Sequence, residues 1–319
     1  MNEHRLHASR VLHAIQSDEA ARSGLVASWR RSCSLHRLDP AARTPPQRIS
    51  DSELAHARQR MGRLIRAASA SLDKLYLAVG GVGCCVLLAD SDGIPVERRG
   101  APCDDATFRS WGLWTGTLWG EDHEGTNGIG TCLVDGRALT IHRDEHFLTR
   151  NIGLSCTTAP IHDHEGRLVA ALDVSSCRAD LTQSFAGLIA LAVGDAARRI
   201  EAEHFRSVFS QERILVVPGT EGGHALLAVD GDDLVVGASR AARLALGLDT
   251  ERIAAGLPAI DLFGPAAGDA MEALEAERGV LQRALARAGG NVSEAARNLG
   301  VSRATLHRRM NRLGLRRPH

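Results

Sequence analysis

The C-terminal part of the chain carries the pattern that most restricts its fold, because residues that end and start helices alternate there at short intervals. Residues 289–291, Gly-Gly-Asn, follow one apolar-periodic segment, and Gly300 and Ser302 precede another. Glycine ends helices by adopting a left-handed conformation, and a serine or asparagine side chain caps the helix that follows. The spacing therefore predicts three helices joined by tight turns, with the second over 293–299 and the third over 302–313.

Positive charge is concentrated in the same region. Residues 278–319 contain ten arginines and one acidic residue, which gives them a formal charge of +9. Because the whole chain has a formal net charge of zero, the preceding residues carry −9. A basic segment attached to an acidic body is typical of a module that contacts phosphates, so double-stranded DNA is the expected partner.

The third predicted helix separates into an inward and an outward face. Leu306, Met310 and Leu313 recur at helical spacing and are expected to face the core. Recognition helices usually contact base edges with their first turn, so Arg303 is expected to bind guanine and the later arginines to bind phosphates. The predicted DNA-contacting residues are Ser302, Arg303, Thr305, His307, Arg308, Arg309 and Arg312.

The lysine content excludes one class of regulator. Lys74 is the only lysine, and no glycines precede it in the manner of a GxxxxGK[ST] phosphate-binding loop. A P-loop ATPase is therefore excluded. The polar start, MNEHRLHASR, does not resemble a secretory signal, and no apolar run approaches the roughly 20 residues that span a bilayer. We expect a cytoplasmic protein without membrane association, whose seven cysteines are thiols.

Hydrophobic periodicity predicts an α+β multidomain chain with four segments. These are a helical segment over 1–77, an antiparallel sheet flanked by helices over 78–208, short strands and a helix over 209–264, and the helical C-terminal domain over 265–319. The Gly/Pro-rich stretch 256–268 is predicted to be a linker. Helices are predicted at 50–76 and 183–206, and strands at 84–90, 94–99, 138–142, 154–163 and 167–177.

Two segments resemble known families. GGNVSEAARNLGVSRATLHRRMNRLGL (289–315) resembles the Fis-type helix-turn-helix of bacterial DNA-binding proteins. LWGEDHEGTNGIGTCL (118–133), SCTTAPIHDHEG (155–166) and LVAALDVSS (168–176) resemble the GAF domain of acetoin and dihydroxyacetone catabolism regulators. Residues 209–264 are more weakly similar to a shortened PAS module. The motor ATPase that separates sensor from helix-turn-helix in larger members of that family is missing here.

The resemblance implies a homodimeric transcription regulator, not an enzyme, that senses a small-molecule effector and acts on RNA polymerase without ATP hydrolysis. No cofactor or metal is expected. Three of the four tryptophans fall within nine residues, where they either line an effector pocket or fill the core. The predicted effector-binding residues are Trp111, Trp114, Trp119, His146 and Cys156.

Other sensing chemistries remain open from the residues alone. The vicinal pair Cys84 and Cys85, with Cys132 and Cys156, could respond to redox state or serve a GAF-type methionine sulfoxide reductase. Four histidines near acidic residues could hold a metal ion. These are His142, His146, His162 and His164. The glycines of GTNGIG do not form a nucleotide-binding fingerprint, so we expect them to satisfy backbone geometry ahead of a helix.

Overall fold

A computed structural model of the chain describes residues 3–17, 22–79, 83–178, 183–218, 220, 224–313 and 315. The chain divides into two compact units. The first, here called the N-terminal unit, comprises residues 1–231 and 236–254. The second, the C-terminal unit, comprises residues 232–235 and 255–319.

The N-terminal unit begins with helices whose starts are set by serine caps. Ser23 accepts a hydrogen bond from the Val26 amide, and Ser50 forms a reciprocal capping box with Glu53. A five-residue π-helix, Arg31–Leu35, continues the second helix. The helices of this segment are α1 (Glu3–Gln16), α2 (Gly24–Arg30), α3 (Asp51–Arg60) and α4 (Gly62–Val79).

The helix predicted over 50–76 is two helices in the structure. The backbone leaves helical geometry at Met61, with φ −87° and ψ 3°, immediately before Gly62. Glycine weakens a helix interior because it has the most backbone freedom to lose, and the Met61 side chain is buried. The prediction of one continuous helix was therefore wrong at this junction.

Within the described residues, five antiparallel strands form the main sheet in the order β2-β1-β5-β4-β3. Each strand lies inside its predicted range. Strand β1, which lies between β2 and β5, is buried along its whole length, which explains why its sequence is apolar from Cys84 to Ala89 instead of alternating. The strands are β1 (Cys84–Asp90), β2 (Pro95–Arg99), β3 (Leu139–His142), β4 (Ser155–His162) and β5 (Leu168–Ser176).

The two faces of this sheet are covered differently. On one face, α4 packs beside α8 (Gln183–Val208), and Leu72, Leu88 and Ile200 belong to the shared core. On the other face, a second core contains Leu87, Phe108, Trp119 and Ile129. Three short helices lie in this covering segment, α5 (Asp105–Ser110), α6 (Glu121–Glu124) and α7 (Gly128–Asp135).

Helix α2 is fixed to the covering segment by polar contacts. The hydroxyl of buried Ser28 donates to the carboxylate of buried Glu121, which also pairs with Arg31 at 3.1 Å. The indole of Trp29 donates to the Glu145 carbonyl at 2.8 Å. These bonds join the segment around α2 to residues 121 and 145, which lie in the part of the chain that contains the main sheet.

Residues 213–254 add a smaller sheet and two short helices. Among the described residues, this sheet has three short strands in the order β6-β7-β8. Ser239 caps α9 by accepting from the Ala242 amide. The elements are β6 (Arg213–Val216), β7 (Leu226–Val229), β8 (Val235–Ala238), α9 (Arg240–Leu246) and α10 (Thr250–Ala254).

The linker prediction over 256–268 was wrong in its second half. A 24-residue helix, α11 (Gly264–Arg287), begins inside it, with a proline in its first turn. Proline is well suited to that position because its missing amide would have no helical partner there. Two helices follow, α12 (Val292–Asn298) and α13 (Arg303–Arg312). No helix among the described residues is long and apolar enough to cross a membrane.

Candidate functional site

The C-terminal unit buries a small core between α11, α12 and α13. Leu306 and Met310 are buried as predicted, and Leu313 packs against the same cluster. Ala295 and Ala296 on α12 let the helices approach closely because their side chains are small. The buried cluster comprises Leu281, Ala284, Leu285, Ala288, Val292, Ala295, Ala296, Leu306 and Met310.

The turns of this unit have the predicted geometry. Gly289, Gly290 and Gly300 take φ values of 54°, 83° and 65°, which side chains disfavour. Asn291 caps α12, and its side-chain oxygen accepts from the amides of residues 293 and 294 at 3.1 and 3.2 Å. The helix-turn-helix geometry is therefore set by local signals in the sequence.

The start of α13 presents one arginine toward solvent. The Ser302 hydroxyl accepts from the Thr305 amide at 3.1 Å, and the two hydroxyls lie 2.8 Å apart. Both hydroxyls are thus engaged in capping the helix. Arg303 lies in the same turn, is exposed, and makes no hydrogen bond or ion pair within the described residues. Of the predicted base-contacting residues, Arg303 is the one presented for a partner.

The later arginines of α13 differ in their surroundings. Arg308 is exposed and lies 3.5 Å from the Thr305 hydroxyl. Arg309 points toward Glu277 of α11, at 3.6 Å, so part of its charge is neutralised within the unit. His307 is half-buried. The Arg312 side chain lies outside the described part of the structure.

The three clustered tryptophans divide between two environments. Trp119 is 1% exposed and donates to the Gly112 carbonyl at 2.8 Å. Trp111 packs against the same core, beside Gly153. The guanidinium groups of Arg98 and Arg109 both lie against the Trp114 ring, 4.2 and 3.9 Å from its centre. Trp111 and Trp119 therefore share one core, Trp114 lies against two arginines, and effector binding by these residues stays a prediction.

His146 and Cys156 are both buried. The Nδ1 atom of His146 lies 2.9 Å from the Arg143 carbonyl oxygen, and its Nε2 atom has no hydrogen-bond partner among the described residues. Burial lowers the pKa of His146 to about 4, so the ring is neutral at pH 7. The Cys156 sulfur lies 3.1 Å from the Ser175 hydroxyl oxygen, and burial raises the pKa of this thiol.

A buried polar network beside Cys156 was missed by the sequence analysis. Asp173 of β5 is fully buried and accepts hydrogen bonds from Thr158 at 2.5 Å and Ser175 at 2.6 Å. Burial raises the pKa of Asp173 to about 6. A Cβ atom added to Gly128, in the first turn of α7, would lie 3.0 Å from the Asp173 carboxylate. The one acidic residue within the strand sequence LVAALDVSS could have indicated this network.

The cysteine environments bear on the redox alternative. Cys84, Cys85, Cys132 and Cys156 are buried, and burial raises the pKa of each thiol, to about 12 for Cys132. Since the thiolate is the reactive form, these surroundings favour unreactive thiols. In the part of the chain that the structure describes, no three His, Cys, Asp or Glu side chains are grouped to hold a metal ion.

Comparison with known proteins identifies both domains. Residues 63–200 match the GAF domain family, and residues 273–313 match the Fis family of bacterial regulatory proteins. The chain therefore contains a GAF domain and a Fis-type helix-turn-helix, as predicted. A chain in the crystal structure of the Escherichia coli DhaR(N)–DhaL complex superposes with a TM-score of 0.52 at 16% identity, over 70% of this chain and 76% of that one. This likeness supports the fold.

Curated relatives are transcription regulators. The acetoin catabolism regulatory protein of Cupriavidus necator is 34% identical over 239 residues, which cover 73% of this chain and 36% of that protein. The acetoin dehydrogenase operon transcriptional activator of Bacillus subtilis is 30% identical over 183 residues, covering 57% of this chain and 30% of that protein. The chain thus spans about a third of the length of these relatives.

Proposed function

We propose that this chain, which joins a GAF domain to a Fis-type helix-turn-helix, is a DNA-binding transcription regulator. The observation that carries the proposal is the exposed, unpaired Arg303 in the first turn of a capped recognition helix. Two copies would place two such helices in successive major grooves, about 34–36 Å apart. Residues 201–272 separate the two matched segments, which leaves no room for a motor ATPase, so regulation would proceed by recruiting or blocking RNA polymerase.

The dimer would form through the helices that cover the GAF sheet. Leu77 of α4 and Leu188 and Leu191 of α8 are 79%, 62% and 72% exposed, so both helices of this packed pair present large apolar side chains to solvent. Burying them against a second copy would remove this surface from water. Helix α8 would then carry a change in the GAF domain toward the C-terminal part of each chain.

DNA reading is tested by comparing Arg303→Ala with Arg308→Ala on DNA from upstream of the encoding gene. Loss of a base contact at Arg303 is expected to weaken the specific site about tenfold or more and to relax its sequence preference. Loss of a phosphate contact at Arg308 should weaken all sequences equally and flatten the salt dependence. Footprints and affinities at several salt concentrations measure both. Two protected half-sites one helical turn apart support the dimer, and unchanged preference in Arg303→Ala contradicts the proposal.

The effector is proposed to be a small hydroxyketone or diol bound on the α7 side of the GAF sheet. The relatives named for acetoin suggest this chemistry. The buried Nε2 of His146 and the network around Asp173 and Cys156 offer polar groups that could bind a hydroxyl or carbonyl oxygen. No catalytic role is proposed, since the nearby thiols are buried with raised pKa values.

A thermal-shift titration tests the effector proposal. Acetoin or a related diol is expected to stabilise the chain by about 2.7 kcal/mol at a concentration one hundred times its dissociation constant. 2-Butanol, which lacks the second oxygen, is the matched control and should give a smaller shift. Stabilisation by a metal ion or an oxidant, with none from any hydroxyketone, would support the metal- or redox-responsive alternatives instead.

A further inference from the structure

A second site is indicated by a groove between α4 and α8 on the outer side of the helix pair. Its volume is about 830 Å³, within the usual range of small-molecule sites. Five cationic side chains line it, Arg63, Arg66 and Lys74 from α4 and Arg199 and Arg206 from α8. Neither the DNA-binding nor the effector proposal uses this groove.

The charge in the groove is largely uncompensated. Arg63, Arg66, Lys74 and Arg206 are exposed and make no hydrogen bond or ion pair with any described residue. Arg199 pairs with Asp195 of its own helix. Several arginines elsewhere in this unit pair with acids: Arg31 pairs with Glu121, Arg99 with Asp73 and Arg150 with Glu124. The groove therefore concentrates positive charge in a part of the chain that is acidic overall.

The positive charge of the groove acts on the neighbouring His224. His224 also lines the groove, and its pKa is lowered first by burial and then by Arg198, Arg206 and Arg199. Cations held this close repel one another, and a bound anion would relieve that repulsion. Arginine also binds phosphate through paired N–H donors, which a point charge cannot match.

The floor of the groove leaves space for a ligand. Ala67 and Ala70 of α4 and Ala202 of α8 line it, so that no long side chain fills the space between the helices. The Ser71 hydroxyl beside them makes no hydrogen bond to a described residue. Glu203 is the one acidic residue of the lining, and it can accept a hydrogen bond from an amino or hydroxyl group.

We propose that this groove binds a small molecule carrying two or more linked phosphate groups, either a nucleoside polyphosphate or an inorganic polyphosphate. Four unpaired cations converge on one cavity, which matches the charge of a single such ligand. The phosphates of a DNA duplex are instead spread along an extended track. The exposed Leu188 lies 11 positions before Arg199, the first α8 residue of the groove, or about 17 Å along the helix axis, whereas Leu77 lies three positions after Lys74 on α4.

Lys74 provides a direct test because it is the only lysine of the chain. The full chain is treated with an amine-reactive ester, and acylation of Lys74 is followed by peptide mass spectrometry at constant ionic strength. Tripolyphosphate or ATP is expected to slow acylation at least about fivefold, whereas orthophosphate at the same ionic strength should have little effect. Equal protection by both ligands supports recognition of the phosphates alone, and stronger protection by ATP supports a contact with the nucleoside. No protection by either overturns the proposal.

Calorimetry on variants provides the second test. Arg66→Gln combined with Arg206→Gln is expected to weaken tripolyphosphate binding about tenfold or more. Arg240→Gln, which removes an exposed and unpaired arginine of α9 outside the groove, should leave it unchanged. Equal weakening by both changes would indicate unspecific attraction and overturn the proposal. Protection of Lys74 by random duplex DNA alone, or by raising the protein concentration without any anion, would also overturn it. Lys74 protection in the unmodified chain decides the matter if the variants fail to fold.

Discussion

Replacing Gly125 by alanine is expected to lower the free energy of unfolding of the N-terminal unit by about 3 kcal/mol or more. Gly125 ends α6 with φ 61° and ψ −154°, a region that is essentially restricted to glycine. An added Cβ atom would also lie 2.5 Å from Cδ1 and 2.8 Å from Cβ of Phe147, which is fully buried. Backbone strain and overpacking therefore act together at this position.

Gly136→Ala provides a matched control within the same segment. Gly136 also has a positive φ, 63°, but its ψ of 24° lies in the left-handed region that other residues can enter, and an added Cβ would meet no heavy atom within 4 Å. Its cost should be about 1 kcal/mol. Urea unfolding followed by tryptophan fluorescence measures both, since all four tryptophans lie in the N-terminal unit. Equal costs for the two alanine variants would contradict the geometry.

Features fixed by neighbouring residues were predictable from the sequence. The Ser50 and Ser302 caps, the left-handed Gly300 and the five strands of the main sheet all follow from local signals, because each depends on side chains a few residues apart. The glycines of GTNGIG likewise precede α7 as predicted, and Asn127 caps that helix. The break at Met61 was missed because a single glycine is compatible with either outcome.

Features assembled by tertiary packing were not predictable in this way. Arg66 and Arg206 are separated by 140 positions in the chain, and only the packing of α4 against α8 brings them to one groove. The position of Arg309 on its helix predicts a phosphate contact. In the structure, however, Glu277 on a different helix lies close enough to neutralise part of its charge. The tryptophans are clustered in sequence, but Trp114 lies against Arg98 and Arg109, whereas Trp111 and Trp119 share a hydrophobic core.

The stability of the N-terminal unit is expected to depend on pH through Asp173. Its pKa is about 6 in the folded chain, as burial raises it, against an ordinary value of 3.8. The folded state therefore binds the proton more tightly than the unfolded state. The contribution of Asp173 to the free energy of unfolding is fully present below pH 3.8 and is lost as the pH rises through 6. The free energy of unfolding falls by about 3 kcal/mol in total.

Asp173→Asn removes this titration while preserving a polar side chain between Thr158 and Ser175. Relative to the unmodified chain, the variant should gain about 2 kcal/mol between pH 4.5 and pH 8. The neutral, buried His146 changes stability in the opposite sense below pH 6.5, but it does so in both proteins and cancels in the difference. Urea unfolding at a series of pH values measures that difference.

Asp163→Asn supplies the control with the opposite sign. Burial acts to raise the pKa of Asp163, but hydrogen bonds from the amides of Arg167 and Glu165 and from the Arg167 side chain outweigh it, and the net shift is downward. The stabilising contribution of the Asp163 carboxylate is present above pH 3.8. The difference in free energy of unfolding between this variant and the unmodified chain should therefore stay constant from pH 5 to pH 8. Parallel curves for Asp173→Asn would mean that the carboxylate is not held in the dry position beneath α7. If the curves diverge as expected, the network beside Cys156 is a charge-sensitive element on the face of the sheet where the effector is proposed to bind.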